Sequence, residues 1–240
     1  MVKLTVFCGP MFAGKTSRLI ESWNTCDTDK LAFKYIKDTR YDTENIAIVN
    51  HDRVKIPAIP ISKCSEIYNY ITDHTQLSYP TEIVGSKRKA KLDTVDDIDS
   101  VTNLEANLEA NLEANSSGIT IIIDEGQFYP DIYDWFIEIR TNPQLNKLIN
   151  HVFVSGLDYD IFGKIFSDQF TKLCDIACEC NTISAKCSVC NMPAYRTQFI
   201  DNTHTDSLEG NVFIGGESEF QPVCISHFIP LNSNIRQTSF

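Results

Sequence analysis

The chain has 240 residues, 42% of them hydrophobic and 22% charged, with a formal net charge of -11. That composition fits a soluble globular fold of one large domain, or a medium domain with a small appendage, and the acidic balance argues against non-specific attraction to nucleic acid or to an anionic membrane surface. No stretch approaches the roughly 20 apolar residues that a membrane-crossing helix requires.

The first segment, Met1 to Thr5, runs directly into an apolar stretch, from which we expect no leader peptide and a cytoplasmic protein. Strand-type runs are expected at Lys3–Phe7, Leu31–Ile36, Asn45–Asn50, Ile119–Ile123 and His151–Ser155, and helical patterns at Lys15–Trp23, Ile67–Ile71 and Asp131–Arg140. The strands lack clean alternation, which suits burial on both faces. Their order with the helices predicts an α/β fold: a mostly parallel sheet flanked by helices. Ligands in such sheets bind at the carboxyl ends of the strands.

Directly after the first strand lies Gly9-Pro10-Met11-Phe12-Ala13-Gly14-Lys15-Thr16, which fits the phosphate-loop pattern G-x-x-x-x-G-K-[ST]. The glycines let successive N–H groups turn inward toward phosphate oxygens. Lys15 supplies a charge at the β/γ end, Thr16 a hydroxyl for Mg²⁺, and the following helix an N-terminal dipole. An ordinary strand–turn–helix is the bland alternative.

The stretch from about 75 to 118 is of another kind. A basic run at Lys87–Lys91 gives way to acidic residues, and Asn-Leu-Glu-Ala then repeats three times over Asn103–Ala114. It reads as a surface insertion without catalytic role, helical or disordered.

Ile119–Ile123 delivers Asp124-Glu125 at its end. An acidic residue at that position holds Mg²⁺ jointly with the loop hydroxyl, which gives Asp124 to the metal. Glu125 is then available to accept a proton from an attacking hydroxyl. Nine cysteines, an odd number unevenly spread, argue against a disulfide framework. Cys187-x2-Cys190 and Cys224-x2-His227 instead have the spacing of a closed, structural zinc site. Cys178 and Cys180 form a weaker C-x-C chelate able to replace one of those pairs. Cys8, Cys26, Cys64 and Cys174 read as ordinary thiols.

In this order the motifs resemble the cellular-type (type II) thymidine kinases. The resemblance rests on Gly9–Thr16, Lys37–Tyr41, His51–Arg53, Asp124–Phe128, Gly156–Asp158, Ile214–Gly216 and the zinc knuckles, and covers the chain outside about 75–118. It implies transfer of the γ-phosphoryl group of ATP to the 5′-hydroxyl of thymidine or deoxyuridine. It implies a RecA-like P-loop domain over residues 1–183 and a zinc-bound lasso over 184–240, with Mg²⁺ and structural Zn²⁺ as cofactors. A homotetramer is implied as well, and neither nucleic acid nor membrane is expected as a partner.

The resemblance makes Gly9–Thr16 the phosphate cradle and Glu125 the base. It adds Asp38, Thr39, Arg40, Asp124, Gly126 and Gln127 to the nucleotide contacts. Met11, Phe128, Leu157 and Phe166 would line the nucleoside pocket, with Thr197 near the base. The lasso segment Asn211-Val212-Phe213-Ile214-Gly215 would grip the base through its backbone. Three departures stand out: Ile161 where an aromatic residue is usual, Phe220 in place of a tyrosine, and His227 in place of a common cysteine. The first two bear on base preference, so a deoxynucleoside kinase of relaxed preference is the nearest alternative. A P-loop ATPase or nucleotide-binding module, and a zinc-ribbon interaction protein, are the others.

Overall fold

The computed structural model describes residues 1–39, 46–75, 118–200 and 218–231, with residues 72–75 described in backbone only. The insertion and the repeat therefore lie almost wholly outside the described residues, as do Arg40 and Asn211–Gly215.

Six strands form one sheet in which every pairing is parallel. They are β1 (Lys3–Cys8), β2 (Asp29–Tyr35), β5 (Ile59–Ile61), β6 (Ile119–Ile123), β7 (Ile149–Gly156) and β8 (Glu179–Thr182), in the order β5-β2-β6-β7-β1-β8. β6 is buried at all five positions, as expected of a central strand covered on both faces. The largest core lies on one face. There Leu4, Phe33, Ile121 and Ile123 meet Ile67 and Ile71 of α2 (Ile67–Thr75), Trp135, Phe136 and Ile139 of α3 (Ile132–Thr141), and Phe170 and Leu173 of α5 (Asp168–Asp175). A short α4 (Pro143–Leu148), capped by the Asn142 carboxamide, leads into β7. On the opposite face Leu19 and Ile20 of α1 (Lys15–Thr25) pack with Ala32, Ile48, Ile56 and Ile122.

The expected strand over Asn45–Asn50 does not join the main sheet. Its described part, β3 (Ala47–Val49), pairs antiparallel with β4 (Lys55–Pro57). Five residues separate the two, far short of the dozen or more that a parallel crossover needs. The turn is closed by Asn50, whose Oδ1 accepts the Val54 N–H at 2.9 Å, with Arg53 at φ 61°. Strands β5 and β8 were not expected. β5 carries Pro60, tolerated because the strand is an edge. β8 is exposed at all four positions and so has no apolar pattern to read.

Beyond β8 the chain forms two small antiparallel pairs. β9 (Ala185–Lys186) pairs with β10 (Pro193–Ala194), and β11 (Arg196–Phe199) with β12 (Phe220–Val223). Ala185, Cys187, Ala194 and Val223 make a small core that packs on Ala13 of the phosphate loop. Among the described residues, no helix is long and apolar enough to cross a membrane.

Candidate active site

The carboxyl ends of β1, β2 and β6 open into one cavity. Its lining includes Met11, Phe12, Gly14, Lys15, Thr16, Asp38, Asp124, Glu125 and Leu157 from the residues singled out in the sequence. Ser17, Lys34, Asn50 and His51 line it as well and were not singled out as site residues.

The loop takes its shape from unusual backbone angles. Gly9 sits at φ 141°, Phe12 at 65° and Gly14 at 83°. A Cβ on Gly9 would fall 2.1 Å from the carbonyl oxygen of Ile183, so the residue after β8 comes directly against the start of the loop. Lys15 is 9% exposed and donates to the Pro10 carbonyl at 2.6 Å, which holds its ammonium inside the loop. Met11 donates its N–H to Thr197 Oγ1 at 3.0 Å, tying β11 to the loop.

Facing Lys15 is the end of β6. Thr16 Oγ1 donates to Asp124 Oδ2 at 3.3 Å, so a hydroxyl and a carboxylate, hard oxygen donors of the kind Mg²⁺ takes, meet beside the loop. The other Asp124 oxygen, Oδ1, accepts from Ser155 Oγ and from the Glu125 N–H. Ser155 thus orients Asp124, although nothing in the sequence of β7 marked it. Glu125 adopts φ 57°, uncommon for a residue with a side chain. Its Oε2 accepts from Gln127 Nε2 at 2.6 Å, and Gln127 Oε1 accepts the Leu157 N–H at 2.9 Å. One buried carboxamide therefore fixes both Glu125 and the chain leaving β7. Gly126 is buried behind the cavity, where a Cβ would meet Val154 at 2.6 Å. Thr39 is exposed.

Two apolar groups flank this polar centre. Phe128 packs edge-on against Phe166, ring centroids 5.5 Å apart, and against Tyr35 at 4.9 Å. Ile161 and Phe220 are buried with Phe199, and Met11, Phe12 and Leu231 close against them. Phe199 and Leu231 carried no signal beyond hydrophobicity. Thr197, 3% exposed, stands at this junction through its bond to Met11.

The second polar cluster lies in the small lobe. Ligand atoms of Cys187, Cys190, Cys224 and His227 all fall within 4.8 Å of one another. Cys190 Sγ is 3.7 Å from Cys224 Sγ, and His227 Nδ1 is 3.7 Å from Cys187 Sγ and 3.2 Å from Cys224 Sγ. A tetrahedron of 2.3 Å Zn–S bonds has edges of about 3.8 Å, so donor set and spacing are both compatible with zinc. Burial opposes ionisation of the Cys187 thiol. Backbone N–H groups of Cys224, Cys190 and Val189, with the His227 ring, nevertheless hold it down to about 6, suited to metal ligation. Cys178 and Cys180 stand elsewhere: Cys180 lies in β8, its Sγ 3.9 Å from that of Cys8.

The Thymidine kinase family profile matches residues 2–85 and 71–228. The chain belongs to the thymidine kinase family. It is similar to the curated thymidine kinase of Mycoplasmoides gallisepticum, 29% identical over 228 residues covering 93% of this chain and 80% of the relative. It is equally similar to the thymidine kinases of Aster yellows witches'-broom phytoplasma and Onion yellows phytoplasma. Each is 29% identical over 228 residues, covering 93% of this chain and 85% of the relative. With membership of the thymidine kinase family comes the activity of an ATP-dependent phosphotransferase.

Proposed function

We propose that this chain transfers the γ-phosphoryl group of ATP to the 5′-hydroxyl of thymidine, or deoxyuridine, to give the monophosphate. The observation that carries the reading is the placement of Glu125. Its carboxylate is anchored at 2.6 Å by Gln127, beside the Thr16–Asp124 pair, in the cavity that holds Lys15.

In this account the N–H groups of Gly9–Thr16 and the Lys15 ammonium hold the β- and γ-phosphates, and Lys15 exchanges its bond to Pro10 for one to phosphate oxygen. Asp38, Thr39 and Arg40 complete the nucleotide contacts. Thr16 and Asp124 would hold Mg²⁺, which when bound offsets charge on the transferring group. Glu125 accepts the 5′-hydroxyl proton as the nucleophilic oxygen approaches, and Gln127 holds its carboxylate at the cavity. Met11, Phe128, Leu157 and Phe166 surround the nucleoside, with Ile161, Thr197, Phe220 and the backbone of Asn211–Gly215 around the base. Backbone donors and acceptors discriminate because a wrong base leaves buried polar groups unpaired. Apolar walls exclude water from the phosphoryl group.

Zinc at Cys187, Cys190, Cys224 and His227 would pin both ends of the lasso. We divide the chain accordingly at about residue 183, a division supported by the small core of Ala185, Cys187, Ala194 and Val223, all beyond it. Family membership likewise supports a homotetramer acting in the cytoplasm, without nucleic acid or membrane partners.

Ile161 and Phe220 offer no hydroxyl in the apolar group they form, which favours a somewhat relaxed base preference within the same reaction. The test is ATP consumption by purified protein with thymidine, deoxyuridine, deoxycytidine, deoxyadenosine or no nucleoside. Thymidine-dependent turnover giving thymidine monophosphate is expected. Equal turnover with and without nucleoside would mean an ATPase.

A further inference from the structure

We propose that Lys34 is a second phosphate-binding cation of this site, contacting the γ-phosphoryl group of bound ATP. The inference rests on the kinase reading and adds a residue to it. Lys34 is 6% exposed and lines the same cavity as Lys15, Thr16, Asp124 and Glu125. Lysine is almost never buried to that degree without negative charge nearby.

Strand geometry fixes its direction. Along β2, Leu31 and Phe33 belong to the large core on the far face, whereas Ala32 packs on the α1 side with Ile122. Side chains alternate, so Lys34 points to the α1 side, toward the phosphate loop. Asp124, two residues beyond Ile122, points the same way. Ala32 pairs with Ile122 and Phe33 with Ile123, and the Asp124 N–H donates to the Phe33 carbonyl at 3.0 Å. Lys34 is thereby set beside Asp124 on the neighbouring strand.

The order β2-β6-β7-β1 puts the phosphate loop three strand spacings from Lys34, roughly 14 Å. Two long lysine side chains therefore enter the cavity from opposite ends, bracketing the Thr16–Asp124 pair. Among the described residues, the cavity carries three carboxylates, Asp38, Asp124 and Glu125, against these two ammonium groups. A triphosphate adds further negative charge, and its terminal γ-phosphate carries the largest share. Lys15 serves the loop end. Lys34 serves the end where the phosphoryl group leaves.

The test compares binding of a non-hydrolysable ATP analogue and of ADP, with magnesium, to wild type, Lys34→Met and Lys34→Arg, each checked for folding by circular dichroism. Lys34→Met should weaken the analogue at least tenfold and ADP less than threefold. Lys34→Arg, which keeps the charge, should retain the preference for the analogue within threefold. A folded Lys34→Met that binds both nucleotides as wild type does, or loses both equally, would overturn the proposal. Should Lys34→Met fail to fold for want of a charge beside Asp124, Asp124→Asn is compared with the Lys34→Met/Asp124→Asn double variant without magnesium. The same tenfold, analogue-selective loss is expected, and its absence overturns the proposal. Wild type that binds neither nucleotide would instead overturn the kinase reading itself.

Discussion

Replacing Gly9 by alanine tests how the sheet edge shapes the phosphate loop. The added Cβ would fall 2.1 Å from Ile183 O and 3.2 Å from Ile183 C, and a backbone carbonyl cannot swing aside as a flexible side chain does. Ile183 is held in turn by its N–H, which donates to the Cys8 carbonyl at 2.8 Å. Relief requires the loop or the end of β8 to move by about 1 Å to restore an ordinary carbon–oxygen contact. Alanine at φ 141° adds strain of about 1–3 kcal/mol, and breaking the edge hydrogen bond about 1 kcal/mol more. The sum, about 2–4 kcal/mol, leaves a domain of ordinary stability folded. Activity suffers more, since a misplacement of about 1 Å costs on the order of 100-fold. Urea denaturation gives the stability and steady-state kinetics give kcat/KM for ATP. Gly14→Ala is the control: its φ of 83° is also strained for alanine, in the left-handed region, but no atom lies within 4 Å of the new Cβ. Stability within 0.5 kcal/mol of wild type and unchanged kcat/KM in Gly9→Ala would refute the reasoning.

Gln127→Leu removes the donor at 2.6 Å from Glu125 and the acceptor for Leu157. We expect kcat to fall about tenfold or more with ATP affinity little changed, by the usual weight of a positioned general base. Cys187→Ala should release zinc and disorder the lasso, read as metal content by atomic absorption and as protease sensitivity near residues 200–220. Full zinc content in that variant would contradict the ligand set. His151 stacks on Phe153 at 3.8 Å and shares a 2.9 Å hydrogen bond with Thr5. Burial first, and Lys3 second, lower its pKa below the ordinary 6.5. Below that value the unfolded chain binds the extra proton. The stabilisation is therefore complete above pH 6.5 and is lost as pH falls through the lowered native value. Urea unfolding of wild type and His151→Phe across pH 5–7.5 should show a smaller rise of stability with pH in the variant, and equal slopes would refute the assignment.

Much of this arrangement was legible because the residues that carry it repeat a physical requirement in sequence. Gly9 and Gly14 occupy left-handed or extended positive-φ positions, and Ile119–Ile123 reads as a buried strand because it is one. The knuckles at Cys187–Cys190 and Cys224–His227 bring four ligands together because each pair is itself a short chelating turn. What escaped notice depends on tertiary register. Ser155 holds Asp124 only because β7 lies beside β6, and Lys34 enters the cavity only because β2 lies on the other side. Strand β8 is polar and exposed, so its support of the loop leaves no hydrophobic trace. The Ala47–Val49 segment has strand composition, but the turn at Asn50–Arg53 sends it into a hairpin.

The central claim is that Glu125 acts as the base for a phosphoryl group held by the loop. Single-turnover phosphorylation of thymidine by Glu125→Gln, with ATP binding measured in parallel, tests it most directly. The account predicts a rate at least ~100-fold below wild type with ATP binding nearly unchanged. A loss of less than tenfold with ATP still bound would contradict it.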